Sequence, residues 1–304
     1  MAFDKVIRQF AVILFTFGFM GNCLIMAYFL SINRGKYKTM TNYHFLLITL
    51  ALLDGLVCFS QIILGCVTWS DEEYTNLEIQ MDVYTTSTFA LVSIWVLALI
   101  SFTRCQRLTL PFAKQMSKKH CFKVVLIMCC VSSVYHLALT NIPESKYQYL
   151  YMNSCMLTAE AIIPQILMFF FYYKTSQHMA KNTTQNQKSR KNRKNALKTL
   201  KGLVLLNFFT VFILKTILYV IAIVRRMESI KNGDKIIINQ VFRTSNILLY
   251  YSTNILNVIV YISMMPQFGR FLLGILKRKQ NLKTLQRRKR SSSIWKSSIR
   301  TSSI

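Results

Sequence analysis

Residues 100–112 read ISFTRCQRLTLPF. An apolar run ends at Arg104, and Pro111 follows seven residues later. An arginine in that place has two readings. It can snorkel, with its methylenes along lipid and its guanidinium in the interface at the inner end of a membrane helix. Alternatively, it is the working end of a switch that operates when the surrounding helices move. The two readings predict different company for Arg104 elsewhere in the chain.

Outward from this stretch, the apolar residues clump. The chain has 304 residues, is 53% hydrophobic and carries a formal net charge of +27, a combination rare in soluble domains. Seven stretches, near 6–30, 43–67, 81–107, 121–141, 156–179, 199–225 and 236–263, reach or approach the roughly 20 residues that cross a bilayer core as a helix. The first, fourth and fifth are the clearest. The third and seventh carry many polar residues, so hydropathy alone leaves them ambiguous. The expected fold is an all-α membrane protein, a seven-transmembrane helix bundle.

The first stretch lacks the basic lead, short apolar core and small-residue cleavage site of a signal peptide, and is expected to stay as a helix. About five residues precede it, so no domain is expected ahead of it. Beyond the seventh stretch, PQFGRFLLGILKRK (266–279) places Phe268, Phe271, Leu272, Ile275 and Leu276 at helical spacing, with basic residues at one end. That pattern predicts a short amphipathic eighth helix over 265–279, lying on the membrane face. The chain thus reads as a membrane domain, 1–279, and a tail, 280–304, that is basic, serine-rich and expected to be disordered.

Charge fixes an orientation. The loops after spans one, three and five, with the tail, hold 29 Lys and Arg; the opposite side holds eight, and Lys215 lies inside span six. Ten of the eleven acids lie on or near the second side and none on the first. This positive-inside asymmetry puts the N-terminus outside and the tail in the cytoplasm of a multi-pass protein, expected at the plasma membrane. The basic charge is then topology plus attraction to anionic membrane lipid, not a nucleic-acid surface.

The eight cysteines show no C-x-x-C spacing and the four histidines are scattered, so no metal site is expected beyond a sodium ion. Cys66 and Cys155 lie nearest the outer, oxidising side. They could join in a disulfide or remain separate thiols. No internal repeat is visible, which weakens a transporter built from duplicated halves.

Polar groups at membrane depth are costly and rare, so each is a candidate site. Asp54, in LALLD (50–54), is the one acid deep in a span. Asn22, Ser93, Asn207, Thr253, Asn254 and Asn257 share that depth. A lone aspartate can simply be hydrogen-bonded. One grouped with asparagines and a serine suggests a hydrated cation or proton site.

These residues resemble the rhodopsin-like, class A, G-protein-coupled receptors. Gly21-Asn22 matches the first-helix GN pair, and Leu50–Asp54 the second-helix LAxxD. Arg104 with Pro111 matches the inner end of helix three and its loop. Pro164 and Tyr172 match the fifth-helix proline and tyrosine. Asn257-Val258-Ile259-Val260-Tyr261 is similar to NPxxY with its proline replaced, and Phe268 matches the start of helix eight. Six matches occur in order, each in its own segment, over about residues 10–279. The departures are also plain. DRY reads Thr103-Arg104-Cys105, the sixth-helix CWxP reads FILK at 212–215, the usual helix-four tryptophan is absent, and Ile79 stands where the outer cysteine of helix three would be.

The resemblance implies an extracellular ligand and a heterotrimeric G protein as partners, and no covalent chemistry. Arg104, Pro111, Phe112, Tyr172, Asn257 and Tyr261 would form the activation switch and coupling surface, Phe112 inserting into the G protein. In the family the arginine pairs with a neighbouring acid at rest. Here that neighbour is Thr103, and helix six offers Lys194 and Lys198, so the resting state is expected to be less restrained and basal activity raised. Asp54, Ser93, Asn254 and Asn257 look like the family's sodium pocket; a structural water network is the alternative. Tail serines 291–293, 297–298 and 302–303 would serve receptor kinases and arrestin if phosphorylated; a solvated basic tail is the alternative.

The ligand site is inferred by position. Asp82, Thr86, Phe89, Glu160, Phe212, Lys215, Tyr219 and Arg243 could line an outward cavity. Thr86 replaces the aspartate that amine receptors place there, which argues against a monoamine. Lys215 needs an acidic partner or an anionic ligand: either Glu160 pairs with it across two helices, or a ligand acid does. No lysine lies in span seven beyond Lys235, which disfavours an opsin. Alongside the receptor stand a chemosensory version of the same fold and a seven-span transporter or channel.

Overall fold

The computed structural model describes residues 2–33, 41–67, 76–109, 116–140, 158–181, 201–202, 204–205, 208–213, 216–217, 220, 256–259 and 268–275. Among these, every regular element is helical and there is no strand. In chain order the long helices are α1 (Ala2–Ile32), α2 (Asn42–Val67), α3 (Asn76–Thr109), α4 (Lys118–Thr140) and α5 (Ile163–Lys181). π-Helical turns occupy Thr158–Ile162, leading into α5, and Phe208–Ile213. Residues 256–259 and 268–275 are also helical.

Among the described residues, four helices are long and apolar enough to cross a membrane, over Gln9–Ile32, Asn42–Cys66, Thr86–Arg107 and Lys118–Ala138. α5 is not one of these, because its C-terminal half carries Tyr172, Tyr173, Lys174, Gln177 and His178. Most of the sixth and seventh expected spans lies outside the described residues.

The starts of two helices follow from their caps. Thr41 precedes α2; its Oγ1 accepts from the His44 N–H at 3.3 Å and its carbonyl from the Phe45 N–H at 3.1 Å. Ser117 precedes α4 and does the same for the His120 N–H at 3.3 Å and the Cys121 N–H at 2.9 Å. Both supply acceptors that the first turn of a helix lacks. Within the spans, hydroxyls turn back onto their own helix: Thr16 bonds the Val12 carbonyl at 2.8 Å, Thr49 that of Phe45 at 3.0 Å and Ser101 that of Leu97 at 3.0 Å. That habit lets a hydroxyl sit at membrane depth without leaving a donor unmade.

α3 is the centre of the packing. It touches α2, α4 and α5, while α1 packs on α2. In its membrane-length stretch 78% is buried, against 28% for α1 and 22% for α4. The polar residues that blur the third span in a hydropathy reading therefore face neighbouring helices. α1 and α4 turn Phe10, Ile13, Phe17 and Met20, and Phe122, Leu126, Ile127 and Val134, outward. Contiguous apolar surfaces of this kind suit a lipid solvent.

Small residues set the close approaches. A Cβ on Gly21 would lie 2.5 Å from Val258 Cγ1, and one on Gly65 would collide with Val12 Cγ2. An apolar cluster of Ala11, Phe15, Val57, Cys58 and Ala90, flanked by Phe19, Ile62 and Phe89, joins α1, α2 and α3.

The chain divides into two compact units, Met1–Val260 and Tyr261–Ile304. In the second, the 268–275 helix stacks the rings of Phe268 and Phe271 at 6.4 Å and exposes Leu273 and Ile275.

Candidate functional site in the seam between α2 and α3

One face of α2 runs from half-buried Tyr43 through the buried Leu47, Leu50, Asp54, Val57 and Gln61, at the alternating steps of four and three that keep one helical face together. Three of its members are polar, and each meets a polar residue of α3. At one end the Arg104 guanidinium lies over the Tyr43 ring, 4.0 Å from its centroid. In the middle, Ser93 Oγ donates to Asp54 Oδ1. Towards the other end Gln61 Nε2 reaches Thr86 Oγ1 at 3.5 Å. Eleven residues forward on α2, from Tyr43 to Asp54, correspond to eleven back on α3, from Arg104 to Ser93. Seven more each way lead to Gln61 and Thr86. Equal rise on two antiparallel helices produces this matching.

The middle pair carries a third member. Asn257, in the 256–259 segment, donates from Nδ2 to Asp54 Oδ2 at 2.8 Å. Both carboxyl oxygens of Asp54 thus accept a hydrogen bond, and all three residues are almost fully buried. Asn22, also fully buried, donates to the Gly18 carbonyl at 3.0 Å, and its Cβ lies near Gly55 of α2. The two adjacent pairs, Gly21-Asn22 on α1 and Asn257-Val258, therefore converge on the same level of α2. Among the described residues, Asn257 Oδ1 receives no hydrogen bond although it is buried. A carboxylate, a hydroxyl and an amide carbonyl form an all-oxygen donor set, which suits a hard cation.

The Tyr43 end of the seam is tied by four consecutive residues. Thr41 caps α2. Asn42 Nδ2 donates to the Met116 carbonyl ahead of α4. Tyr43 carries Arg104. His44 Nδ1 lies 3.4 Å from Asn33 Nδ2, and its ring lies 5.4 Å from that of Phe29, both at the end of α1. Thr103 Oγ1 donates to the Ile100 carbonyl at 3.0 Å.

Other candidates fall as follows. Thr86 is buried in the seam, and Phe89 packs against the apolar cluster of Phe15 and Val57. Tyr172 is half-buried on α5. Cys66 is an exposed free thiol at the end of α2. Asp82 falls on α3, Glu160 and Phe212 on the two π-helical turns. The side chains of those three, and all of Pro111, Phe112, Cys155, Lys215, Tyr219, Arg243, Asn254 and Tyr261, lie outside the described residues.

Three polar groups were missed from sequence. Tyr43 stands eleven residues before Asp54, the same interval that separates Ser93 from Arg104, and that equality was the available signal. Gln165, beside Pro164, is buried and donates to the Val204 carbonyl at 3.3 Å, joining α5 to the residues just ahead of the Phe208–Ile213 turn. His136 is buried on α4; its Nδ1 donates to the Ser132 carbonyl at 2.9 Å and lies 3.5 Å from Thr88 Oγ1 of α3. Nothing in the spacing around either residue marks it.

No family model matches the chain, and no curated protein matches it.

Proposed function

We propose that the chain is a seven-helix plasma-membrane receptor of the rhodopsin-like kind, with its N-terminus outside. An extracellular ligand shifts its bundle between two arrangements, and its cytoplasmic face then promotes nucleotide exchange on a heterotrimeric G protein. The observation that carries this reading is the buried contact of Asp54 with both Ser93 and Asn257, on the same helix seam that ends at Arg104. A buried carboxylate at membrane depth is costly, which makes Asp54, bonded to α3 and to the 256–259 segment, a functional candidate by default. It reports any relative movement of α2, α3 and the 256–259 segment.

Within this reading, a sodium ion would be held by the Asp54 carboxylate, the Ser93 hydroxyl and the Asn257 amide oxygen. It would supply positive charge that favours the arrangement in which those three groups meet. Arg104 supplies the guanidinium at the inner mouth, and Phe112 the apolar contact to the G protein. The tail serines serve receptor kinases and arrestin.

The test is a panel of G-protein biosensors in cells expressing the full chain, with and without fractionated ligand pools. The expected result is a signal from at least one heterotrimer that Arg104→Ala abolishes at unchanged surface expression. Silence from every heterotrimer, together with substrate flux in vesicles lacking G protein, would replace the receptor by a transporter.

A further inference from the structure

We infer that Tyr43 is the positioning residue for Arg104, holding its guanidinium at rest by an aromatic face where related receptors use a carboxylate. The inference rests on the signalling role proposed above for Arg104 and concerns how that site is regulated.

Three observations carry it. First, the guanidinium lies 4.0 Å from the ring centroid, well inside the roughly 6 Å within which a cation is attracted by an aromatic face. Guanidinium is planar and weakly hydrated, so it stacks where an ammonium would not. Second, the residue that would otherwise hold Arg104 is engaged elsewhere: Thr103 bonds the Ile100 carbonyl of its own helix. Third, Tyr43 is itself anchored on both sides. Asn42 holds the Met116 carbonyl and His44 packs on Phe29 and Asn33. Below it, Leu47 and Leu50 are completely buried on the same face. A ring fixed in this way offers a fixed seat, and the matched spacing to Asp54 and Ser93 sets its height on α3.

The consequence differs from that of a missing acid alone. Thr103 supplies no carboxylate beside Arg104. With Tyr43 beneath it, the resting arrangement keeps a restraint, and leaving it requires the guanidinium to lift off the ring. The phenol hydroxyl is not needed for this, so phenylalanine should serve and an aliphatic residue of similar bulk should not.

The test uses the full chain with arginine labelled in nitrogen-15, in lipid nanodiscs, as wild type, Tyr43→Phe, Tyr43→Leu and Arg104→Lys, the last to assign the resonance. Nucleotide exchange by the responsive heterotrimer is measured on the same samples, with Arg104→Ala as control. A guanidinium over a ring face has its Nε–H proton moved upfield. We expect this upfield position in wild type and Tyr43→Phe and its loss in Tyr43→Leu. Ligand-free exchange should rise about three- to tenfold in Tyr43→Leu alone.

Absence of the upfield shift in wild type overturns the inference at its root. A shift that Tyr43→Leu abolishes while exchange stays unchanged, with Arg104→Ala still silencing exchange, overturns the positioning role and leaves the receptor intact. A shift with no exchange from any heterotrimer removes the receptor reading, and the regulatory role with it.

Discussion

Val258 occupies the space that a side chain on Gly21 would need: a Cβ there would lie 2.5 Å from Val258 Cγ1 and 2.9 Å from Cγ2. The glycine is what lets α1 approach the 256–259 segment closely enough for Asn257 to reach Asp54. Overpacking a tight contact typically costs about 1–3 kcal/mol, so Gly21→Ala should lower the thermal unfolding midpoint in detergent. Gly55→Ala is the control, since its Cβ would meet Asn22 Cβ at an ordinary 3.7 Å. It should be neutral or gain slightly from helix propensity. Equal losses in both variants would contradict this packing.

The Asp54 contacts should behave as a coupled unit. Ser93→Ala or Asn257→Ala each leaves a buried acceptor short of a donor, a loss of about 1–3 kcal/mol. Adding either change to Asp54→Ala should cost less than the separate effects combined, by at least about 0.5 kcal/mol. Strict additivity in a chemical-denaturation cycle would show that the three residues do not interact.

Thr103→Asp should reduce ligand-free signalling. It places a carboxylate beside Arg104 in addition to the Tyr43 ring, so the resting arrangement is held twice. The readout is agonist-free biosensor signal at matched surface expression, and an unchanged or higher signal counts against the proposed resting restraint.

Gln165→Leu should weaken the junction of α5 with the segment around Val204. It removes the bond to the Val204 carbonyl beside the π-helical turn Phe208–Ile213. Interhelical hydrogen bonds in membranes average roughly 0.6 kcal/mol, so the expected loss in unfolding free energy is about that size. Gln165→Glu is not a conservative replacement here, because a carboxylate cannot donate to a carbonyl.

Orientation is checked by labelling. Cys66 is exposed at the end of α2, the end expected to face outward. In a Cys155→Ser background, a membrane-impermeant maleimide should modify Cys66 on intact cells and fail when Cys66→Ser is added. A C-terminal epitope should become reachable only after permeabilisation. The opposite pattern would invert the topology.

The first four helices were legible because apolar runs of membrane length leave few alternatives. α3 was the least certain of them by hydropathy, since Thr86, Ser87, Thr88 and Ser93 dilute its apolar content; those four are buried against other helices. Asp54, Ser93 and Asn257 were grouped by depth and spacing, and the structure brings them within hydrogen-bonding reach. Thr86 and Phe89 were assigned to a ligand cavity from position alone, whereas the structure packs them in the α2–α3 seam and the α1–α2–α3 cluster. Tyr43 went unnoticed because a tyrosine at the end of a span reads as an interface aromatic. The common reason is rotational. A helix that is apolar around most of its circumference does not reveal from its own sequence which face meets a neighbour.

The matched spacing of α2 and α3 makes the two helices act as paired rulers. Inserting one residue between Tyr43 and Asp54 would swing Tyr43 about 100° around its axis, one step of a 3.6-residue turn. Asp54–Ser93 and Gln61–Thr86 would keep their alignment while Arg104 lost its seat. The segment between Tyr43 and Asp54 can therefore vary in composition far more freely than in length.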